Sequence, residues 1–169
     1  MINQEYVIQM SRYNAWQNSQ LNGVVQLMGE DDLVAERGAF FGSIFATLNH
    51  ILWGDTLWMN RWYSAVQAPK GGSAVHKAFT PNIGAWGEAR VHLDGQIRTW
   101  AQNLSDKDLR GDLEWTSDSL GTTITQPLGL CVVHMFNHQI HHRGQISQML
   151  SAAGMTTPVS DLVFMPEDA

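Results

Sequence analysis

The chain has 169 residues, 44% of them hydrophobic, and ten Lys and Arg against sixteen Asp and Glu give a formal charge of −6. That length suits one domain around one apolar core, and a composition with seven Trp is unlike that of a disordered segment. The acidic balance, without a basic cluster able to follow a phosphate backbone, argues against nucleic acid as a partner.

The opening residues, MINQEYVIQMSRYNAW, lack the basic region and apolar run of a secretory signal. No stretch nears the roughly 18 apolar residues that span a membrane, so a cytoplasmic protein is the expectation. From Asn3 to Met28, apolar residues recur at helical spacing (Tyr6, Met10, Tyr13, Leu21, Val24, Met28), and Gly29 with Glu30, Asp31 and Asp32 interrupts the pattern. A second helix opens after Gly42 with Ser43 as N-cap and carries Ile44, Leu48, Ile51, Trp58 and Trp62. Residues 68–82 include Pro69, Gly71, Gly72, Ser73 and Pro81, the chemistry of a long connection with little to bury.

A third helix is expected to begin near Thr80-Pro81, a cap followed by a first-turn proline, and to run through Trp86, Leu93, Ile97, Trp100 and Leu104. Between Leu109 and Gln126 the pattern turns to short alternation around Ser117, Asp118 and Gly121. There Thr122, Thr123, Ile124 and Thr125 favour extended backbone, which predicts a small hairpin. Pro127 opens the last helix, through Leu130, Val133, Phe136, Ile140, Ile146 and Leu150 to a stop at Gly154, and an irregular tail follows Met155. With no internal repeat, the expectation is an all-α four-helix bundle, a single domain over residues 1–169. The only cysteine, Cys131, sits in the apolar run LCVV and reads as a packed residue with no partner for an internal disulfide.

Four of the seven histidines crowd into the last helix, in HMFNHQIHHRGQ. At about 100° per residue, His134, His138, His141 and His142 fall within an arc of roughly 100° and share one face. Residues four apart can bring their imidazoles to one ion, so the candidate pairs are His134 with His138 and His138 with His142. A third ligand must come from a neighbouring helix, and His50, set mid-helix beside Leu48, Ile51, Leu52 and Trp53, is the candidate. The plain alternatives are a hydrogen-bonded core histidine at position 50 and a solvated polar face on the last helix.

Three segments in this order, YNAWQN at 13–18, LNHILWGD at 48–55 and NHQIHHRGQ at 137–145, resemble the signature segments of the DinB family, and the resemblance spans nearly the whole chain. It implies a DinB/YfiT-like four-helix bundle with an up-down-down-up arrangement, often a homodimer, holding a divalent metal in its cleft. Carried over by position, the metal triad falls on His50, His138 and His142, and the roles of His134 and His141 stay open. The metal, zinc or nickel, would keep an open coordination position, as catalytic sites do. Relatives in the wider superfamily that use bacillithiol or mycothiol point to activation of a low-molecular-weight thiol for attack on an electrophilic small molecule. A stress-response binding module and a metal-dependent hydrolase are the other readings; the latter lacks the adjoining Glu of His-Glu-x-x-His enzymes. Asp55, interrupting an apolar stripe, calls for a cationic or hydrogen-bonding partner if buried, and Arg143 is available for it; a partly exposed acid on the helix surface is the equal alternative. Asn14 and Trp16 read as packing residues, with the cleft as the alternative, and the sequence singles out no catalytic residue.

Overall fold

Three of the four long helices begin where a polar side chain satisfies a free backbone N–H group. A computed structural model describes residues 2–117 and 120–169; Asp118, placed above in the hairpin turn, lies outside the described residues. Helix α1 (Gln4–Val25) is capped by Asn3, whose side chain accepts from the Tyr6 N–H. Helix α3 (Ile44–Trp62) starts on the expected cap, Ser43, which accepts from Ala46. Between them lies a one-turn helix, α2 (Glu30–Val34), in the stretch that interrupts the hydrophobic pattern. Its three acids occupy the first turn, where they face the positive end of the helix dipole, and buried Leu33 anchors it.

Helix α4 (Ile83–Asn103) starts later than the Thr80-Pro81 expectation. Asn82 is the cap, accepting from Ala85, because Thr80 is already committed to α3: its N–H and hydroxyl both donate to Asn49 Oδ1, at 2.7 and 2.8 Å. The hairpin forms from β1 (Asp112–Ser117) and β2 (Thr122–Pro127), paired antiparallel with Trp115 opposite Ile124. Helix α5 (Leu128–Ala152) follows directly and ends as expected at Gly154, whose φ of +74° lets the Met155 N–H reach back to the Leu150 carbonyl at 3.0 Å.

Helix α1 packs along α4 and α3 along α5, with α3–α4 and α1–α5 contacts completing the four-helix bundle. The tail lies along α1: Tyr13 donates to the Ser160 carbonyl at 2.6 Å, and Arg12 holds the carbonyls of Pro166 and Glu167. Among the described residues no helix is long and apolar enough to cross a membrane. The apolar stripe expected on α5 is displaced, since Leu130 and Ile140 are 40% and 41% exposed. The inner face instead runs through Val132, Met135, Phe136, Gln139, His142, Arg143 and Ile146, because polar residues occupy part of the interior.

Those polar residues form a network that joins all four long helices. Arg90 of α4 donates to Asp55 of α3 at 2.5 Å and to Asp94 at 2.8 Å. Asp94 also accepts from Asn14 and Asn18 of α1 at 3.0 and 3.1 Å, and Arg143 of α5 donates to Asn14. Of the two readings of Asp55 the buried one holds, and its partner is Arg90 and not Arg143, whose guanidinium is directed to α1. Asn14 is a member of the network and neither a packing filler nor a cleft residue. Burial works against the Arg90 guanidinium, yet Asp94 and Asp55 outweigh it and hold its pKa above the ordinary value. Burial pushes the Arg143 guanidinium down to about 10, which leaves it charged at neutral pH.

Two carboxylates and two guanidiniums thus balance inside the bundle. Removing Arg90 would strand Asp55 uncompensated and weaken the hold on Asp94. Arg90→Leu is expected to cost about 3–5 kcal/mol of stability, as for other broken buried pairs, measured as a lower midpoint in urea unfolding.

Candidate metal centre

The centre is built where α3 and α5 run side by side. His50 projects from the middle of α3, and His138 and His142 from successive turns of α5. The Nε2 atoms of His50 and His138 stand 3.0 Å apart, and the rings of His138 and His142 have centroids 4.4 Å apart. One ligand atom from each of the three lies within 4.8 Å of the others. Two nitrogens bound to one ion at 2.0–2.1 Å and a tetrahedral angle would be roughly 3.3 Å apart, so the His50–His138 spacing is close to that of a shared ion.

Each imidazole is held by its surroundings. His142 Nδ1 lies 2.8 Å from Gln145 Oε1, and since a carbonyl oxygen only accepts, Nδ1 carries the proton and Nε2 keeps its lone pair. The other end of the Gln145 amide donates to His141 Nε2 at 3.2 Å. His50 Nδ1 meets His76 Nδ1 at 2.9 Å. Phe41, from the α2–α3 connection, lies over His50 with ring centroids 4.0 Å apart and over His142 at 5.2 Å. Gly54, one turn beyond His50, makes room for His138: a Cβ there would meet His138 Cε1 at 3.2 Å.

The geometry decides between the two candidate pairs on α5. His138 and His142 join His50. His134 is exposed and packs its ring against Trp58, with centroids 5.1 Å apart, and stands outside the cluster. His141 is exposed and bonded to Gln145. Residues that sequence reasoning passed over are His76, Phe41, Gly54 and Gln145. Only Gln145 had a readable signal, since it lies one turn after His142 on the same helix. A cleft of about 400 Å³ opens beside Gln145, between Arg37, Gly38 and Ala39 on one side and His141, Gly144 and Gln148 of α5 on the other.

The sequence profile of the DinB family matches residues 1–169. This chain belongs to the DinB family. Among solved structures, a DinB-like protein from Bacillus cereus superposes on it with a TM-score of 0.66 at 16% identity, covering 93% of this chain and 97% of that one. At that identity the likeness speaks for the fold. No curated protein matches the chain.

In this DinB-family site the electrostatics suit a cation. Burial, then the neighbouring His138, His142 and His76, hold the His50 pKa down to about 3. Burial, then His142, His134 and His141, hold His138 down to about 4. Burial also lowers His142. The imidazoles are therefore neutral at physiological pH, the state that offers lone pairs to a metal, and three such donors suit a divalent transition metal.

Two predictions follow from this environment. The unfolded chain binds protons at these histidines below about pH 6.5, whereas the folded protein binds them only near its lowered pKa values. Metal-free protein should keep its full stability above about pH 6.5 and lose it progressively as pH falls towards 4, with urea midpoints showing a shallower fall in a His50→Gln, His138→Gln variant. Gly54→Ala should favour the helix by up to about 1 kcal/mol while pressing on His138, so that zinc affinity falls in a chelator competition although the fold is retained.

Proposed function

We propose that this protein is a metal-dependent transferase in which His50, His138 and His142 hold a divalent ion, zinc or nickel, that activates a low-molecular-weight thiol for attack on an electrophilic small molecule. One observation carries the reading. Three neutral imidazoles have ligand atoms within 4.8 Å of one another, and among the described residues no further His, Cys, Asp or Glu belongs to the group, which leaves room for an exogenous ligand. A cation so held lowers the pKa of a thiol that meets it and supplies a nucleophile at neutral pH.

The protein's own groups have defined parts. Gln145 fixes the tautomer of His142, and Phe41 shields the imidazoles from bulk water on one side. The cleft beside Gln145 is the place for the electrophile. In the reaction the thiol sulfur bonds to carbon, the leaving group departs with its electron pair, and the thiol proton passes to solvent. Cys131 takes no part, since it is buried and burial raises its thiol pKa. Asp55 is tied to Arg90 in the bundle interior, which removes the nearest helix-α3 carboxylate as a general base for hydrolysis.

Elemental analysis tests the centre first. The purified protein should carry close to one equivalent of zinc or nickel, and His138→Ala should lose it; equal content in the two would refute the assignment. Zinc- and nickel-loaded protein should then consume free thiol when offered low-molecular-weight thiols with alkylating electrophiles. Metal binding without thiol consumption by any pair would reassign the protein as a binding module.

A further inference from the structure

The connection between α3 and α4 is pinned to α3 on both sides of His50. Trp53, three residues after His50, donates its indole N–H to the Gly72 carbonyl at 3.0 Å. Asn49, directly before His50 and fully buried, accepts from the Thr80 N–H and hydroxyl at 2.7 and 2.8 Å. Between these anchors a 3-10 turn (Gly72–Val75) folds the chain back, entered through Gly71 and Gly72 with φ of +87° and +61°, the left-handed region that favours glycine. His76 caps this turn and stands over α3, with its Nδ1 2.9 Å from His50 Nδ1 and its ring at 79° to that of His50.

His50 Nε2 faces His138 Nε2 at 3.0 Å, and to serve as a ligand atom it must keep a bare lone pair. A neutral His50 then carries its proton on Nδ1, and the 2.9 Å contact makes His76 Nδ1 the acceptor. We propose that His76 is a positioning residue: by accepting from His50 Nδ1 it holds His50 in the tautomer and ring orientation whose Nε2 lone pair faces His138 and His142. The second nitrogen of a metal-bound histidine commonly needs such a partner, and here a loop imidazole fills that place. This inference rests on the metal centre proposed above.

The test separates the two. In metal-free wild-type protein, nitrogen-15 NMR should show His50 protonated at Nδ1 and bare at Nε2, and His76→Phe should shift it towards the other tautomer. Zinc affinity by chelator competition should fall about 10–100-fold in His76→Phe, the usual effect of losing such a partner. His76→Asn, whose side-chain oxygen can accept in place of Nδ1, should recover most of the loss. A proton on His50 Nε2 in wild type, or unchanged zinc affinity in His76→Phe, would overturn the proposal. An Asn variant as weak as the Phe variant would also overturn it, in favour of His76 ligating the ion itself. Failure of wild-type protein to bind zinc with the His50 tautomer as assigned would sink the metal centre and the positioning role with it, while leaving the hydrogen bond established.

Discussion

Arg90 makes the contact on which the arrangement of the bundle turns. Its guanidinium joins Asp55 on α3 to Asp94 on α4, and through Asp94 it reaches Asn14 and Asn18 on α1. Buried charges of this kind tolerate few alternatives, because sliding or rotating a helix would leave one of them unpaired in a medium of low polarity. An apolar interface would be less exacting. Asp55 immediately follows Gly54, against which His138 rests, and Arg143 immediately follows His142. The network that sets the register of α3 and α5 thus adjoins the imidazole cluster, directly after His142 on α5 and beside the glycine that seats His138 on α3, and the same register brings the three rings together.

The division of labour along α3 and α5 follows from this. On α5, positions 139, 142 and 143 give interior surface to polar chemistry where an ordinary bundle would place leucine. The apolar packing lost there is supplied by large buried side chains around it, including Trp86, Phe136, Met135 and Ile146. Trp86 also donates its indole N–H to the Leu48 carbonyl at 3.1 Å, so the aromatic bulk that fills the core helps to fix the turn of α3 that presents His50.

Much of this was readable in the sequence, and the reasons are specific. Helical periodicity, the Ser43 cap and the Gly154 stop located the long helices, because these features act within one or two turns. The i, i+4 spacing placed His138 and His142 together, and the apolar setting of His50 marked it as unusual. The DinB resemblance supplied the choice among overlapping pairs. What periodicity could not show is which polar residues are interior: Asp55 read equally as a buried acid and as an exposed one, and its partner on α4 depends on how two helices rotate against each other. The late start of α4 was hidden for a similar reason, since Thr80 forgoes capping to bond Asn49 from a distant part of the chain. His76 gave no signal, because nothing local in a Gly- and Pro-rich connection reveals that both its ends are tied to one helix.

The spacing of the imidazoles has a kinetic side. Two of the donor nitrogens stand 3.0 Å apart, each on a helix whose position is fixed by buried charge. An arriving ion would find its donors gathered, so little chain entropy is lost on capture. The speed of loading would then be set by how readily the hydrated ion gives up its own water molecules, and release by how seldom these rigid helices part.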